Sequence, residues 1–186
     1  MNFMQHLRQN WPGLLALFLA LGWIWLSRAP QGTTTAGLIP APQAGFLAPD
    51  FTLSTLDGES IRLDDLRGNV LLINIWATWC PPCRAEMPAM QSVYETYHAQ
   101  GFEILAVNAT NQDTLASIGP FVEEYRLTFP ILLDVAGDVT RAYRVMSLPT
   151  SFFVDRNGII REVVVGGPMD EALLRTRIED LLKEGR

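Results

Sequence analysis

The stretch NVLLINIWATWCPPCRAEMP, residues 69–88, constrains the fold more than any other. Its first half is a nearly continuous apolar run of strand length, the pattern of a central strand buried on both faces. The chain's two cysteines, Cys80 and Cys83, follow at once. From Pro81 to about Gln100 the residues Met87, Met90, Val93, Tyr94 and Tyr97 recur at three- and four-residue spacing, which predicts a helix ended by Gly101. Pro81 suits the first helical turn, where its missing N–H would be unpaired anyway. Pro88 lies inside the helix and is expected to kink it. The cysteine pair therefore sits at a strand-to-helix junction.

Elsewhere strands and helices alternate. Phe51/Leu53 and Ile61/Leu63 flank Asp57-Gly58 and predict two short strands around a turn. FEILAVNAT (102–110) and FPILLD (129–134) read as further buried strands. Residues 113–127 read as a helix interrupted at Gly119-Pro120, and residues 137–145 as a short one. TSFFVDRNGIIREVVVG (150–166) is a hairpin signal, turning at Asp155-Arg156-Asn157-Gly158. Residues 169–184 close as an amphipathic helix with Leu173, Leu174, Ile178, Leu181 and Leu182 on one side. Alternating strands and helices imply parallel pairing, and the late hairpin adds antiparallel strands. The expected class is α/β, with a mixed central β-sheet and helices on both faces.

The N-terminal part is a different object. Trp11–Leu26 carries no charge, and sixteen helical residues span roughly 24 Å, slightly short of a ~30 Å hydrocarbon core. Trp11, Trp23 and Trp25 lie near its ends, at headgroup level for a spanning helix. A cleaved signal would show small residues in an A-x-A pattern afterwards, and LSRAPQG does not. The expectation is a cytoplasmic tail and single uncleaved signal-anchor over residues 1–28. Pro-, Gly- and Thr-rich residues 29–49 read as a linker, and residues 50–186 as one domain on the extracytoplasmic side of the cell membrane. A formal charge of −6, with no long basic run, argues against a nucleic-acid partner.

Three plain readings of Cys80 and Cys83 compete with a redox one. A zinc site needs four ligands, and the chain offers only two histidines, His6 and His98, both far from the pair in sequence. A structural disulfide gains most by closing a long loop, and this one would close two residues. Two inert buried thiols sit poorly at a strand-to-helix junction. A C-x-x-C beside a βαβ pattern is a strong redox signal. Cys80 at the helix N-terminus would be the attacking thiol, its thiolate favoured by the dipole, and Cys83 the resolving thiol. Pro81 and Pro82 both lack an N–H, so two donors to that thiolate are missing. The expectation is a moderately lowered thiol pKa and a reducing couple.

At APDFTL, LLINIWATWCPPCRAEMP, FPILLD and SLPTSFFVDRNGII the chain resembles the membrane-anchored TlpA/ResA/CcmG group within the redoxin (AhpC/TSA) superfamily. The resemblance covers roughly residues 46–184. It implies a thioredoxin fold with an N-terminal β-hairpin and a central β-α insert at residues 102–134. It also implies thiol:disulfide oxidoreductase activity on protein disulfides, often those of apocytochromes c in cytochrome c-type biogenesis. Electrons would come from a membrane thiol reductant of the CcdA/DsbD type, and no cofactor is implied beyond the dithiol. Pro149 matches the family's cis-proline, so Leu148 before it is expected to pair with substrate. Glu86 matches an acid near the site that could relay protons or raise the thiol pKa; read plainly, it would be a solvated carboxylate supporting the first helical turn. Asn74 stands where ordinary thioredoxins carry a buried acid, which passes that role to Glu86 or water. Trp76 and Trp79 are expected to pack and to offer a docking surface. A thiol peroxidase is the main competing enzyme, but it would need Thr at position 77, which is Ala. A copper carrier and a disulfide-forming oxidase compete as well.

Overall fold

The computed structural model describes residues 39–184. The tail and anchor expected at residues 1–28, and the first part of the linker, lie outside the described residues. Among the described residues no helix is long and apolar enough to cross a membrane.

Strands β1 (Thr52–Ser54) and β2 (Ser60–Arg62) form the antiparallel hairpin expected around Asp57-Gly58. A five-stranded sheet follows, built from β3 (Val70–Trp76), β4 (Phe102–Asn108), β5 (Ile131–Leu133), β6 (Thr150–Val154) and β7 (Ile160–Val165). Its spatial order is β5-β4-β3-β6-β7. Strands β3, β4 and β5 run parallel, while β6 is antiparallel to both β3 and β7. Every residue of β3 is buried, which is why its sequence shows no alternation.

Alternate residues of β3 feed two cores. Leu72 and Trp76 face α1 (Pro81–Tyr97), α2 (Leu115–Tyr125) and α4 (Glu171–Glu184), meeting Met87, Met90, Phe121 and Ile178. Leu71, Ile73 and Ile75 face the other side, with Phe152, Val139 of α3 (Asp138–Ala142) and the hairpin's Leu53 and Ile61. The apolar positions read on the first helix are all buried, joined by Cys83, Glu86 and Gln91.

Two expectations need correction. The segment 39–49, assigned to the linker, is part of the domain. Gly45 N–H donates to Ile160 O, Ile160 N–H to Phe46 O and Ala48 N–H to Gly158 O, and Ala48 is buried. Backbone pairing with β7 and its turn holds this segment despite its prolines. Helix α2 also runs unbroken through Gly119-Pro120, because burial of Ile118 and Phe121 on its inner face outweighs local propensity.

The four mutually parallel strands, β3, β4, β5 and β7, all end at one edge of the sheet, where β6 begins. Loops leaving that edge carry the cysteine pair. Ile73 is fully buried between Leu105 and Phe152 on the neighbouring strands. Ile73→Ala should cost about 2–5 kcal/mol in urea unfolding, whereas the exposed Glu59→Ala should stay within about 0.5 kcal/mol.

Candidate active site at the carboxyl edge of the sheet

Strand β3 ends at Trp76, and Ala77–Trp79 carry the chain to Cys80, the N-cap of α1. Pro81 and Pro82 fill the first two helical positions. The first available helical N–H is therefore that of Cys83, and it donates to Cys80 Sγ at 3.3 Å. Counting only the prolines overlooks this donor: the sulfur keeps one amide partner. The two sulfurs are joined as a disulfide, with Cα atoms 5.3 Å apart. Cys83 is fully buried and Cys80 is 2% exposed, so a partner's sulfur meets Cys80 first.

The loop before Cys80 is clamped by Asp113, which sequence reasoning did not single out. Its Oδ2 accepts from Thr78 N at 2.6 Å and Asn108 Nδ2 at 2.8 Å, and its Oδ1 accepts from Thr78 Oγ1 at 2.6 Å. Burial pushes this carboxyl up, but the donors from Asn108 and Thr78 outweigh it and hold the pKa below the usual range. The Thr78 hydroxyl, one place from the peroxidase position, is thus engaged in loop structure. Trp79 Nε1 donates to Gln112 O at 2.8 Å, pinning an indole that is 57% exposed. Trp76 is not at the surface. It is fully buried against the Phe121 ring, 4.8 Å between centroids, so it belongs to the core alone.

Glu86 lies one turn beyond Cys83 on the same buried side of α1. It is not the solvated carboxylate of the plain reading: its exposure is zero. Oε1 accepts from Asn74 Nδ2 at 2.8 Å, and Oε2 accepts from Met169 N at 3.1 Å. Asn74 Nδ2 also donates to Ser151 Oγ at 2.9 Å. Burial dominates, and the two donors oppose it, leaving the Glu86 pKa raised to about 6.

The Leu148–Pro149 bond is cis, as the SLPT match implied, and so is Gly167–Pro168. A Cβ on Gly167 would lie 2.8 Å from Pro149 Cγ and 2.9 Å from Glu86 Oε2. Pro149, Gly167 and Glu86 therefore adjoin, and only glycine fits between them. A Gly-Pro dipeptide is a general turn signal, but nothing in the sequence ties this one to the cysteines. Leu148 is half-buried beside both cores.

Of the six large apolar side chains exposed among the described residues, five sit on this edge. They are Trp79 after β3, Leu115 after β4, Val135 after β5, Met146 before β6 and Val165 at the end of β7. They share the edge that carries the cysteine pair.

A C-x-x-C disulfide at a helix N-terminus, a cis-proline before an antiparallel strand and a buried acid define a thioredoxin-fold thiol-disulfide oxidoreductase. Comparison with known proteins agrees. The AhpC/TSA family model matches residues 44–163, and the chain belongs to that family. It is 42% identical over 154 residues to the thiol-disulfide oxidoreductase ResA of Geobacillus thermodenitrificans, covering 82% of this chain and 83% of that one. It is 45% identical over 125 residues to the thioredoxin-like protein YneN of Bacillus subtilis, covering 67% and 72%. Among solved structures it is similar to StoA of Bacillus subtilis, with TM-score 0.62, 31% identity and coverage of 69% of this chain and 96% of that one. It is also similar to a thiol:disulfide interchange protein of Chlorobium tepidum, with TM-score 0.67, 28% identity and coverage of 73% and 95%. Within the family this is a TlpA/ResA-like thioredoxin-fold protein.

The raised Glu86 pKa has a stability consequence. The folded state holds the proton more tightly than the unfolded chain, so the stabilisation is full below about pH 4.5 and is lost as pH rises through about 6. Relative to Glu86→Gln, the oxidised wild type should lose about 2 kcal/mol across that window. Urea unfolding at a series of pH values measures it, and parallel curves for the two proteins would contradict it.

Proposed function

We propose that this protein is a reductase of protein disulfides, tethered to the cell membrane by its N-terminal segment and working on the extracytoplasmic side. The observation that carries the direction of electron flow is the poverty of donors at Cys80. One backbone N–H, from Cys83, faces the sulfur, because Pro81 and Pro82 have none to give. A thiolate with few donors is only moderately stabilised, and a dithiol with such a thiolate gives up its electrons readily.

The cycle starts from the dithiol. The Cys80 thiolate attacks a substrate disulfide, forming a Cys80–substrate disulfide and releasing one substrate thiolate. The Cys83 thiol then gives its proton to the Glu86 carboxylate and attacks Cys80 Sγ. The Cys80–Cys83 disulfide forms, and the second substrate thiolate leaves. Two electrons have passed from the dithiol to the substrate, and the protons follow to the substrate thiols. A membrane thiol reductant of the CcdA/DsbD type returns the pair to the dithiol.

The apolar set of Trp79, Leu115, Met146 and Val165 supports a polypeptide substrate over a small thiol, since a small disulfide would leave that surface in water. The backbone of Leu148, which lies ahead of the first paired residue of β6, supports an extended segment pairing there. An apocytochrome c before haem attachment fits both features and the resemblance to the TlpA/ResA/CcmG group.

Cys83→Ser should trap substrate on Cys80 in cells, as adducts in the membrane fraction that dithiothreitol dissolves and that Cys80→Ser abolishes. Absence of any such adduct would contradict the reductase reading, and adducts confined to the soluble fraction would contradict the tether.

A further inference from the structure

Asn74 is fully buried in β3. Its Nδ2 donates to Glu86 Oε1 and Ser151 Oγ, while its Oδ1 has no partner among the described residues. A buried polar atom left unpaired costs stability, so its persistence needs a reason. Glu86 supplies one. Against an ionised carboxylate, Oδ1 in place of Nδ2 would set acceptor against acceptor. The amide is therefore held with its oxygen away from the acid.

The same three side chains fit the protonated acid after half a turn of the amide. The carboxyl O–H then donates to Oδ1, and the Ser151 hydroxyl, which can donate as well as accept, does the same. Nδ2 takes over the position without a partner. The carboxylate thus admits only the orientation with Nδ2 toward it, while the acid favours Oδ1 toward it, the one orientation that gives the carboxyl proton an acceptor on Asn74.

Nothing else described around Glu86 can play this part. The loop before α4 presents the Met169 N–H, which only donates, and Gly167. The segment before β6 presents Pro149. On its own helix Cys83 lies one turn back, bonded to Cys80. Among the described residues no charged side chain acts on Glu86; its surroundings are burial and the two amides.

We propose that Asn74 is a positioning residue whose side-chain amide turns over each time Glu86 gains or loses a proton, with Ser151 as its second partner in both orientations. This rests on the reading of Glu86 as the proton acceptor for Cys83. The proton leaves the Cys83 thiol, resides on the Glu86 carboxyl and passes on to solvent or substrate thiolate; no electron moves in that step. The turning amide gives the acid a partner in both states, so the proton can arrive and leave without orphaning the carboxyl.

The test is a pH titration of the intact, oxidised chain in detergent, by nuclear magnetic resonance. The Glu86 carboxyl carbon and the Asn74 side-chain amide should titrate together, with one midpoint near 6. In Glu86→Gln, the glutamine oxygen must accept the Met169 N–H, so its Nε2 faces Asn74. The Asn74 amide should then hold the wild-type low-pH resonance position at every pH. Asn74→Leu removes a charge-assisted bond to the carboxylate and a weaker one to the acid, so the Glu86 midpoint should move up. An Asn74 amide that ignores pH while Glu86 titrates would overturn the proposal, as would resonances in Glu86→Gln that match the high-pH position. Should Asn74→Leu fail to fold, the Glu86→Gln spectrum decides alone. The protein holds its disulfide and no substrate throughout. Failure here leaves the reductase reading standing, and failure to trap adducts leaves this one.

Discussion

The structure depends on one strand being dry on both sides. Strand β3 pairs with β4 and β6, faces a core on each side and delivers the chain directly into the N-terminus of α1. That handover fixes where the two sulfurs lie. Cys80 becomes the helix cap, Cys83 follows one turn on, and their separation suits a disulfide. The same strand brings Asn74 into contact with Glu86, one turn beyond Cys83, so the anchor of the fold also holds the site's polar interior.

The chemistry then turns on how few polar groups reach each reacting atom. At Cys80 the two prolines remove the amides that a helix N-terminus normally offers, and the Cys83 N–H remains. At Glu86 burial is opposed by two amides and, among the described residues, by no cation, which leaves a carboxyl able to change state near neutral pH. Asp113 works in the opposite sense. Its donors from Asn108 and Thr78 keep it ionised as a fixed strut for the loop that carries Trp79 and Cys80.

Much of this was legible in the residues. The unbroken apolar run 70–76 pointed to a strand buried on both faces, and the spacing of Met87, Met90, Val93, Tyr94 and Tyr97 named the inner side of α1 correctly. The C-x-x-C at their junction and the SLPT match pointed to Cys80, Cys83 and cis-Pro149. What stayed hidden were contacts across the sheet. Ser151 reaches Asn74 through strand pairing 77 residues apart, and Gly167 touches Glu86 through a turn that no local pattern ties to the cysteines. Asp113 was obscured because a carboxylate in a polar loop looks solvated until its donors are known. Residues 39–49 misled for a related reason: a Pro- and Gly-rich composition suggests a tether, yet backbone hydrogen bonds to β7 need no particular side chains.

A donor-poor Cys80 should make the pair an electron donor, and the reduction potential of Cys80–Cys83 tests this most directly. The protein is equilibrated with graded dithiothreitol redox buffers while tryptophan fluorescence follows its state. A value below roughly −230 mV, on the thioredoxin side, is the predicted result. A value near about −120 mV would mean that the dithiol is strongly stabilised, and would contradict the reductase reading by making the protein an oxidant that forms disulfides.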